Sequence, residues 1–402
     1  MTQPSYFVAI IGGAVAGSEA ARSFADSGAG VVVFEQNPRP YGKIEDGLPV
    51  WHDKMRLAEF SRIDEVYQKE NVYFVPNTRI GRDISFADFK TLGFQFVILA
   101  NGAWRDRPLG LANIDAYQGK GFYYQNPFMY WINHREDKNF KGTPCEIAEG
   151  AIVIGGGLAS IDVAKAFSIL TVQQALEKRG IAVDWFELEH KGCDKILAEH
   201  NLSFETLGVK PCTLFYRRRL QDMPLVAYKD GASEEDKAKT EKTRLVLLNK
   251  AMQKYGFTTQ ELSCPVAALI EHDRVVGIRF NKEGEEFEVR APVVVSSIGS
   301  IPEPLPGIAQ EGELYRWSDI SKSYLAENIY GLGNVVTGKG NIAVSRKHSK
   351  EVTEWLRTHP THNLSDAEKA SLIERVKARQ KVVGYDGNYN AWLEKHPPVD
   401  RA

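Results

Sequence analysis

Two glycine-rich turns carry most of the chemistry available to this sequence. Gly12-Gly13-Ala14-Val15-Ala16-Gly17 follows the apolar run Phe7–Ile11, and Gly155-Gly156-Gly157-Leu158-Ala159-Ser160 follows Ala151–Ile154. Where an apolar strand passes through such a turn into a helix, free backbone N–H groups and the positive end of the helix dipole form a site for phosphate. The first position must turn tightly, the third must let a pyrophosphate approach the backbone, and the last must let helix and strand pack closely. Gly12, Ala14 and Gly17 take these places in the first turn, with Ala14 standing where glycine is usual. In the second turn the last place belongs to Ser160.

The residues beyond the two turns differ in charge. Glu35 closes the run Val31–Phe34, eighteen residues after Gly17. A carboxylate there accepts hydrogen bonds from both hydroxyls of an adenosine ribose and repels a 2′-phosphate, which selects FAD or NAD over NADP. Helix packing also favours small residues, so the glycines alone would say little; strand, helix and acid in register carry the assignment. No acid closes the strand after the second turn. Cys212–Tyr216 instead runs into Arg217-Arg218-Arg219. Guanidinium groups suit bidentate binding of a dianionic phosphate, which points to NADPH. The competing reading is a solvated strand end, or one that docks an acidic partner. A flavin accepts a hydride and can release electrons singly, whereas NADPH delivers only hydride. The pair therefore describes a path from NADPH through FAD to a further acceptor.

These turns need β-α-β units to position them. Helix-forming residues span Ser18–Ser27 and stop at Gly28, and Leu158–Leu170 reads as an amphipathic helix. A charged insertion, including Gln173–Arg179 and Lys195–His200, delays the next strand to Cys212–Tyr216. Phe96–Ala100 and Val293–Ser297 read as further strands that run into glycine, and Val275–Phe280 with Glu286–Arg290 as a hairpin about Glu283-Gly284. The expected fold class is α/β, with two Rossmann-like dinucleotide-binding domains. The NADPH-binding domain, residues 109–299, is inserted into an FAD-binding domain formed by residues 1–108 and 300–402. Residues 229–243 are almost wholly polar and read as a solvated loop or helix start. Beyond Pro360 a charged helix is expected, then a Gly/Asn/Pro-rich tail lying on the surface around the body.

Length and composition agree. A chain of 402 residues suggests two or three domains, and 43% hydrophobic residues supply more than one core. A net charge of −2 argues against nucleic acid or an anionic membrane as the main partner. Cys145, Cys193, Cys212 and Cys264 lie far apart with no Cys-x-x-Cys pair, which argues against a closely spaced redox dithiol, a zinc ribbon or an iron–sulfur cluster, and no metal site is expected. Four thiols fit a reducing compartment. No run reaches the length of a membrane span and no signal-peptide pattern opens the chain, so the expectation is a cytoplasmic protein.

Over roughly residues 6–355 the sequence resembles the adrenodoxin reductase and glutamate synthase small-subunit group of flavoproteins. The resemblance rests on Glu35–Lys43 with Gly47-Leu48-Pro49, on Ala100-Asn101-Gly102-Ala103, on Gly157–Ala164, and on Arg217-Arg218 with Met223-Pro224. It rests also on Gly331-Leu332-Gly333-Asn334 followed by Thr337–Ile342. It implies FAD contacts from Ala16, Glu35, Lys43, Asn334, Gly340, Asn341 and Ile342, and from the backbone of Ile80 on the adenine side. It implies NADPH contacts from Gly156, Gly157, Leu158, Ala159, Arg217 and Arg218, and a ferredoxin-like iron–sulfur protein as acceptor. The group places Asp or Trp where this chain has Asn334, so a charge or ring beside the flavin chain is missing. Because the sequence opens at the first strand of the FAD-binding unit, the N-terminal cysteine-rich iron–sulfur domain of glutamate synthase small subunits is not expected. A diaphorase subunit of a larger complex and a non-catalytic flavin-binding scaffold are the competing functions, the latter resting on Ala14 and Asn334 alone. The additional fingerprint of flavin monooxygenases is missing between the two turns. His52 and Asp53 read as solvated loop residues rather than a proton relay. Trp51 reads as either core packing or a flavin shield, and Lys54 and Arg56 as a solvated face.

Overall fold

The computed structural model describes residues 4, 6–137, 140–229, 231–338, 340–359 and 363–398. Pro360, where the final helical segment was expected to begin, and Lys339, in the glycine-rich stretch near the end, lie outside the described residues. The chain divides into two compact units, residues 1–105 with 300–402, and residues 106–299.

The first unit opens with β1 (Phe7–Ile11), α1 (Val15–Asp26) and β2 (Gly30–Phe34). A single helical turn α2 (Lys43–Asp46), the helix α3 (Asp53–Tyr67), β3 (Val72–Val75) and β4 (Phe96–Leu99) come next. All residues of β1, β2 and β4 are buried, as expected for parallel strands covered on both faces.

The second unit contains β5 (Phe122–Tyr124), β6 (Ile152–Gly155), α4 (Leu158–Glu177), β7 (Thr213–Phe215), α5 (Glu234–Tyr255) and β8 (Thr258–Gln260). Then come β9 (Cys264–Glu271), β10 (Arg274–Lys282), β11 (Glu285–Arg290) and β12 (Val294–Ser297). Its parallel sheet runs β5-β12-β6-β7-β8, and β9-β10-β11 form a separate antiparallel sheet. The expected hairpin is therefore the second half of a three-strand meander. β9 leaves little trace in the sequence because its Pro-Val-Ala-Ala-Leu-Ile run lacks a period of two and bulges twice against β10. Phe215 and Phe280 stack 4.2 Å apart in the core of this unit. α4 extends to Glu177, beyond the Leu170 read from the sequence: the polar Gln173-Gln174 and the charged residues after them read as insertion, but the residues through Glu177 continue the helix, with Leu176 buried. The polar stretch 229–243 is mostly helix: Ser233 accepts a hydrogen bond from Asp236 N and caps α5.

The chain then returns to the first unit with β13 (Tyr324–Ala326), β14 (Ile329–Gly331), α6 (Ile342–Arg357), α7 (Asp366–Val382) and α8 (Tyr389–Lys395). The sheet order is β13-β14-β4-β1-β2-β3, with β14, β4, β1, β2 and β3 parallel. The tail is not simply a surface wrap. Tyr385, Tyr389 and Trp392 are buried in the same core as Phe60, Tyr67 and Phe74. Tyr389 Oη and Tyr41 Oη both donate to Asp64 Oδ1, at 2.7 and 2.8 Å, and Trp392 Nε1 donates to the Pro38 carbonyl at 2.7 Å. Tyr385, Tyr389 and Trp392 stand four and three residues apart, a helical spacing, but Gly384, Gly387 and Asn388 among them give the stretch the composition of a surface tail. Among the described residues no helix is long and apolar enough to cross a membrane.

Candidate functional site

In the first unit the glycine turn lies where the strand order reverses, between β1's neighbours β2 and β4, the place where α/β sheets bind ligands. Gly12 has φ +98°, and a Cβ there would lie 2.6 Å from the Ala100 carbonyl oxygen. A Cβ on Gly17 would sit 1.9 Å from the Gly12 oxygen, so helix and strand pack at glycine distance. Ala14 is the N-cap of α1 and gives no side-chain cap, so its side chain leaves the first helical N–H groups open to a ligand.

Glu35 is 4% exposed. Its Oε2 accepts from Gly13 N at 2.8 Å and its Oε1 from Asn37 N at 2.9 Å. A carboxylate has about four acceptor positions, so both oxygens keep capacity for ribose hydroxyls. Burial pushes the Glu35 carboxyl up to about 7, while the Gly13 and Asn37 amides pull it down and Asp46 adds a smaller upward push. Tyr67 of α3 closes the back of the turn, donating to the Gly13 carbonyl at 2.6 Å. Nothing in the spacing of the sequence singles out Tyr67.

The later segment converges on the same helix end. A Cβ on Gly333, φ +67°, would meet the Ala16 methyl at 3.1 Å, and Ser349 Oγ donates to the Ala16 carbonyl at 2.8 Å. Asn334 Oδ1 accepts from Ser345 Oγ at 3.4 Å and would lie 3.0 Å from a Cβ on Gly340. Asn341 caps α6 by accepting from Val344 N at 3.0 Å, and Ile342 begins that helix. Gly333 N donates to His348 Nδ1 at 3.0 Å, so His348 carries its proton on Nε2, facing Ser323 Oγ at 2.9 Å. Burial lowers the His348 pKa, which favours this neutral form.

Lys43 follows Gly42, whose Cβ would meet the Ala14 methyl at 2.8 Å. Its Nζ donates to Ser300 Oγ at 3.0 Å and lies 5.6 Å from the Trp104 ring. Ile80 buries its side chain in the core, and its loop is tied to the acid by Thr78 N donating to the Glu35 carbonyl at 2.8 Å. Arg56 corrects the expectation of a solvated face. It is fully buried and donates to the carbonyls of Ile44 and Glu45 at 2.8 Å and of Leu48 at 2.5 Å, holding the end of α2. These carbonyls close the turn beside Lys43, and an interior Arg is indistinguishable by type from a surface one. Trp51 is buried and His52 half-buried.

The second unit repeats the device. A Cβ on Gly155 would lie 2.4 Å from the Ser297 carbonyl oxygen of β12, and one on Gly156 would strike the Tyr216 ring at 2.1 Å. Gly157, the N-cap of α4, has open space around it and gives no side-chain cap, and Leu158 is 52% exposed. Ala159 comes next in the first turn of α4. Ser160 is buried, and its Oγ turns back to donate to the Gly157 carbonyl at 2.6 Å, which lets serine occupy a position usually held by a smaller residue. β7 pairs beside β6 in parallel and delivers Arg217 and Arg218, both exposed. Arg217 makes no ion pair among the described residues. The turn thus offers free amides and the strand end free positive charge, as a phosphorylated ligand requires.

Residues 6–206 match the family model described as pyridine nucleotide-disulphide oxidoreductase. Among similar proteins, the mitochondrial NADPH:adrenodoxin oxidoreductase of Arabidopsis thaliana is 30% identical over 162 residues, 39% of this chain and 32% of its own. The glutamate synthase [NADPH] small chain of Bacillus subtilis is 34% identical over 158 residues, 39% of this chain and 31% of its own. The matches span between about a third and a half of the length of the curated relatives. Among solved structures, FprA of Mycobacterium tuberculosis in complex with NADPH superposes with a TM-score of 0.71 at 19% identity, over 94% of this chain and 91% of that one. A thioredoxin reductase from T. acidophilum superposes at 0.53 and 16% identity, over 88% and 98%. At these identities the superpositions show a shared fold.

Proposed function

The chain belongs to the pyridine nucleotide-disulphide oxidoreductase family, and from that premise we propose that it is an NADPH oxidoreductase that holds FAD at the Glu35 turn and NADPH at the Arg217 turn and supplies electrons to an iron–sulfur protein. FAD, when bound, takes up hydride from NADPH and can give its electrons up one at a time. The observation that carries the reading is the contrast of charge at matching positions: a buried carboxylate after β2 and free guanidinium after β7.

Each group has a physical task. Glu35 accepts the hydroxyls of an unphosphorylated ribose, and its negative charge repels a 2′-phosphate. The uncapped ends of α1 and α4 offer N–H groups to the two pyrophosphates. Gly333, held against α1 with its N–H taken by His348, sets the backbone there, and Asn334 presents its side chain to the flavin chain. Arg217 and Arg218 bind the 2′-phosphate of NADPH.

The cysteines favour an acceptor other than a disulfide carried on this chain. All four cysteines are free and unpaired with one another; burial pushes the thiols of Cys145 and Cys193 up to about 12 and that of Cys212 up as well, so thiolate is scarce at these three, and the exposed Cys264 has no cysteine beside it to form a disulfide. The curated relatives named for adrenodoxin and for glutamate synthase support an iron–sulfur acceptor or partner subunit.

The test is sequential mixing without oxygen. NADPH is expected to reduce the bound flavin, and a [2Fe–2S] ferredoxin to reoxidise it faster than a thioredoxin-type disulfide does. Flavin that stays oxidised in NADPH would leave only a scaffold. Reoxidation by the disulfide alone would replace the acceptor.

A further inference from the structure

Three arginines leave β7 in succession, and the fold gives each a different neighbour. Arg217 is exposed and free of ion pairs among the described residues. Arg218 lies with its Cζ 5.6 Å from the centre of the Tyr216 ring, and its Nε donates to Tyr216 Oη at 3.0 Å. Arg219 is neutralised by Asp222 through a two-pronged contact, Nη2 to Oδ1 at 3.0 Å and Nε to Oδ2 at 3.2 Å. Tyr216 joins the three parts. Its ring occupies the space a side chain at Gly156 would need, and its hydroxyl donates to the Asp222 carbonyl at 3.2 Å while accepting from Arg218.

The loop beyond is fixed from two further sides. Leu220 N donates to Glu261 Oε2 at 2.8 Å, and buried Arg244 of α5 donates to the carbonyls of Gln221 at 3.2 Å and Val226 at 2.6 Å. Leu262 N donates to the Arg218 carbonyl at 3.1 Å, and Ser263 N to that of Tyr216 at 2.9 Å. The backbone that carries the arginines is thus held by protein groups alone, and the Tyr216 hydroxyl and ring both contact the Arg218 guanidinium.

We propose that Tyr216 is a positioning residue that ties the pyrophosphate turn to the 2′-phosphate reader, and that Asp222 withdraws Arg219 so that Arg217 and Arg218 alone read the 2′-phosphate. This rests on NADPH binding at this turn. Of three neighbouring cations, one is free, one is aimed and one is spent internally. An arginine aimed before the ligand arrives loses less side-chain freedom on binding.

The experiment measures calorimetric binding of 2′,5′-ADP and of 5′-AMP to the full-length protein. These probes differ at the 2′ position and need no turnover. Tyr216→Phe keeps the ring on Gly156 and removes only the hydroxyl. It is expected to weaken 2′,5′-ADP by about three- to tenfold, the span of one ordinary hydrogen bond, and to leave 5′-AMP unchanged. The paired change Arg219→Gln with Asp222→Asn is expected to leave both affinities within about twofold, as for an exposed ion pair. Arg217→Ala serves as the control for the underlying reading. If Arg217→Ala weakens 2′,5′-ADP while Tyr216→Phe does not, the positioning role is overturned and the NADPH site stands. Equal weakening of both probes by Tyr216→Phe, or a large loss in the paired variant, also overturns the proposal. If Arg217→Ala leaves the 2′,5′-ADP preference intact, the NADPH assignment itself fails.

Discussion

The β1-α1-β2 and β6-α4-β7 segments solve one geometric problem with different residues and opposite charge. In each, the first glycine presses against the strand beyond the switch point, Gly12 on the Ala100 carbonyl and Gly155 on that of Ser297. In each, a tyrosine backs the second glycine, Tyr67 behind Gly13 and Tyr216 behind Gly156. The contrast lies just past the end of the second strand. Glu35 is enclosed and pre-bonded by two amides, whereas Arg217 and Arg218 stand in solvent. The enclosed acid suits a cofactor that stays bound, and the exposed cations suit one that comes and goes. In the proposed reading, shared backbone geometry provides for a dinucleotide in each unit, and the charge after the second strand selects which.

The strongest way to break the comparison is to remove the cations. Arg217→Ala with Arg218→Ala should weaken NADPH by about 3 kcal/mol, roughly a hundredfold, and leave NADH unchanged. The ratio of the two dissociation constants checks this. Removing the anion comes next. Glu35→Ala should weaken FAD by about 2 kcal/mol, read as lower flavin content after dialysis, with NADPH preference unaffected.

A pH series sharpens the same contrast. The Glu35 carboxyl is raised to about 7 by burial, so it is increasingly protonated below that pH. Ribose hydroxyls donate to its charged form and lower its pKa, so FAD binding releases a proton and is favoured as pH rises through 7. FAD affinity should fall by at most about tenfold, or about 1.4 kcal/mol, between pH 7 and pH 6. Glu35→Gln should flatten that dependence. An equally steep profile in the variant would assign the effect elsewhere. The smallest effect concerns the tail. Tyr389→Phe removes one of two tyrosine donors to Asp64 and should cost about 1 kcal/mol of thermal stability with the NADPH-to-NADH ratio unchanged.

Much of this is legible in the residues. Period and glycine placement give β1, α1, β2, β6 and the start of α4 within a residue or a few, because buried parallel strands are short apolar runs and a turn at a switch point demands glycine. Glu35 and Arg217 are found where their spacing puts them, just past the second strand of each unit, the place from which this fold reads a ribose, and their proposed roles rest on that position. The supporting groups are not. Tyr67, Tyr216 and His348 act through contacts with residues 54, 60 and 15 positions away, respectively Gly13, Gly156 and Gly333, and no local pattern marks them. Arg56 misleads because a charged side chain on a helix is ordinarily solvated. The carbonyls at the end of α2 take up its guanidinium, a long-range match that residue type does not show. The burial of Tyr389 and Trp392 depends on Asp64 and Pro38, more than 300 residues earlier.

The most direct test of the charge contrast is the visible spectrum of the purified, FAD-reconstituted protein during anaerobic titration with NADPH and, separately, NADH. Bound oxidised flavin that bleaches at far lower NADPH than NADH is the expected result. A colourless protein after reconstitution, or equal bleaching by the two nucleotides, would contradict it.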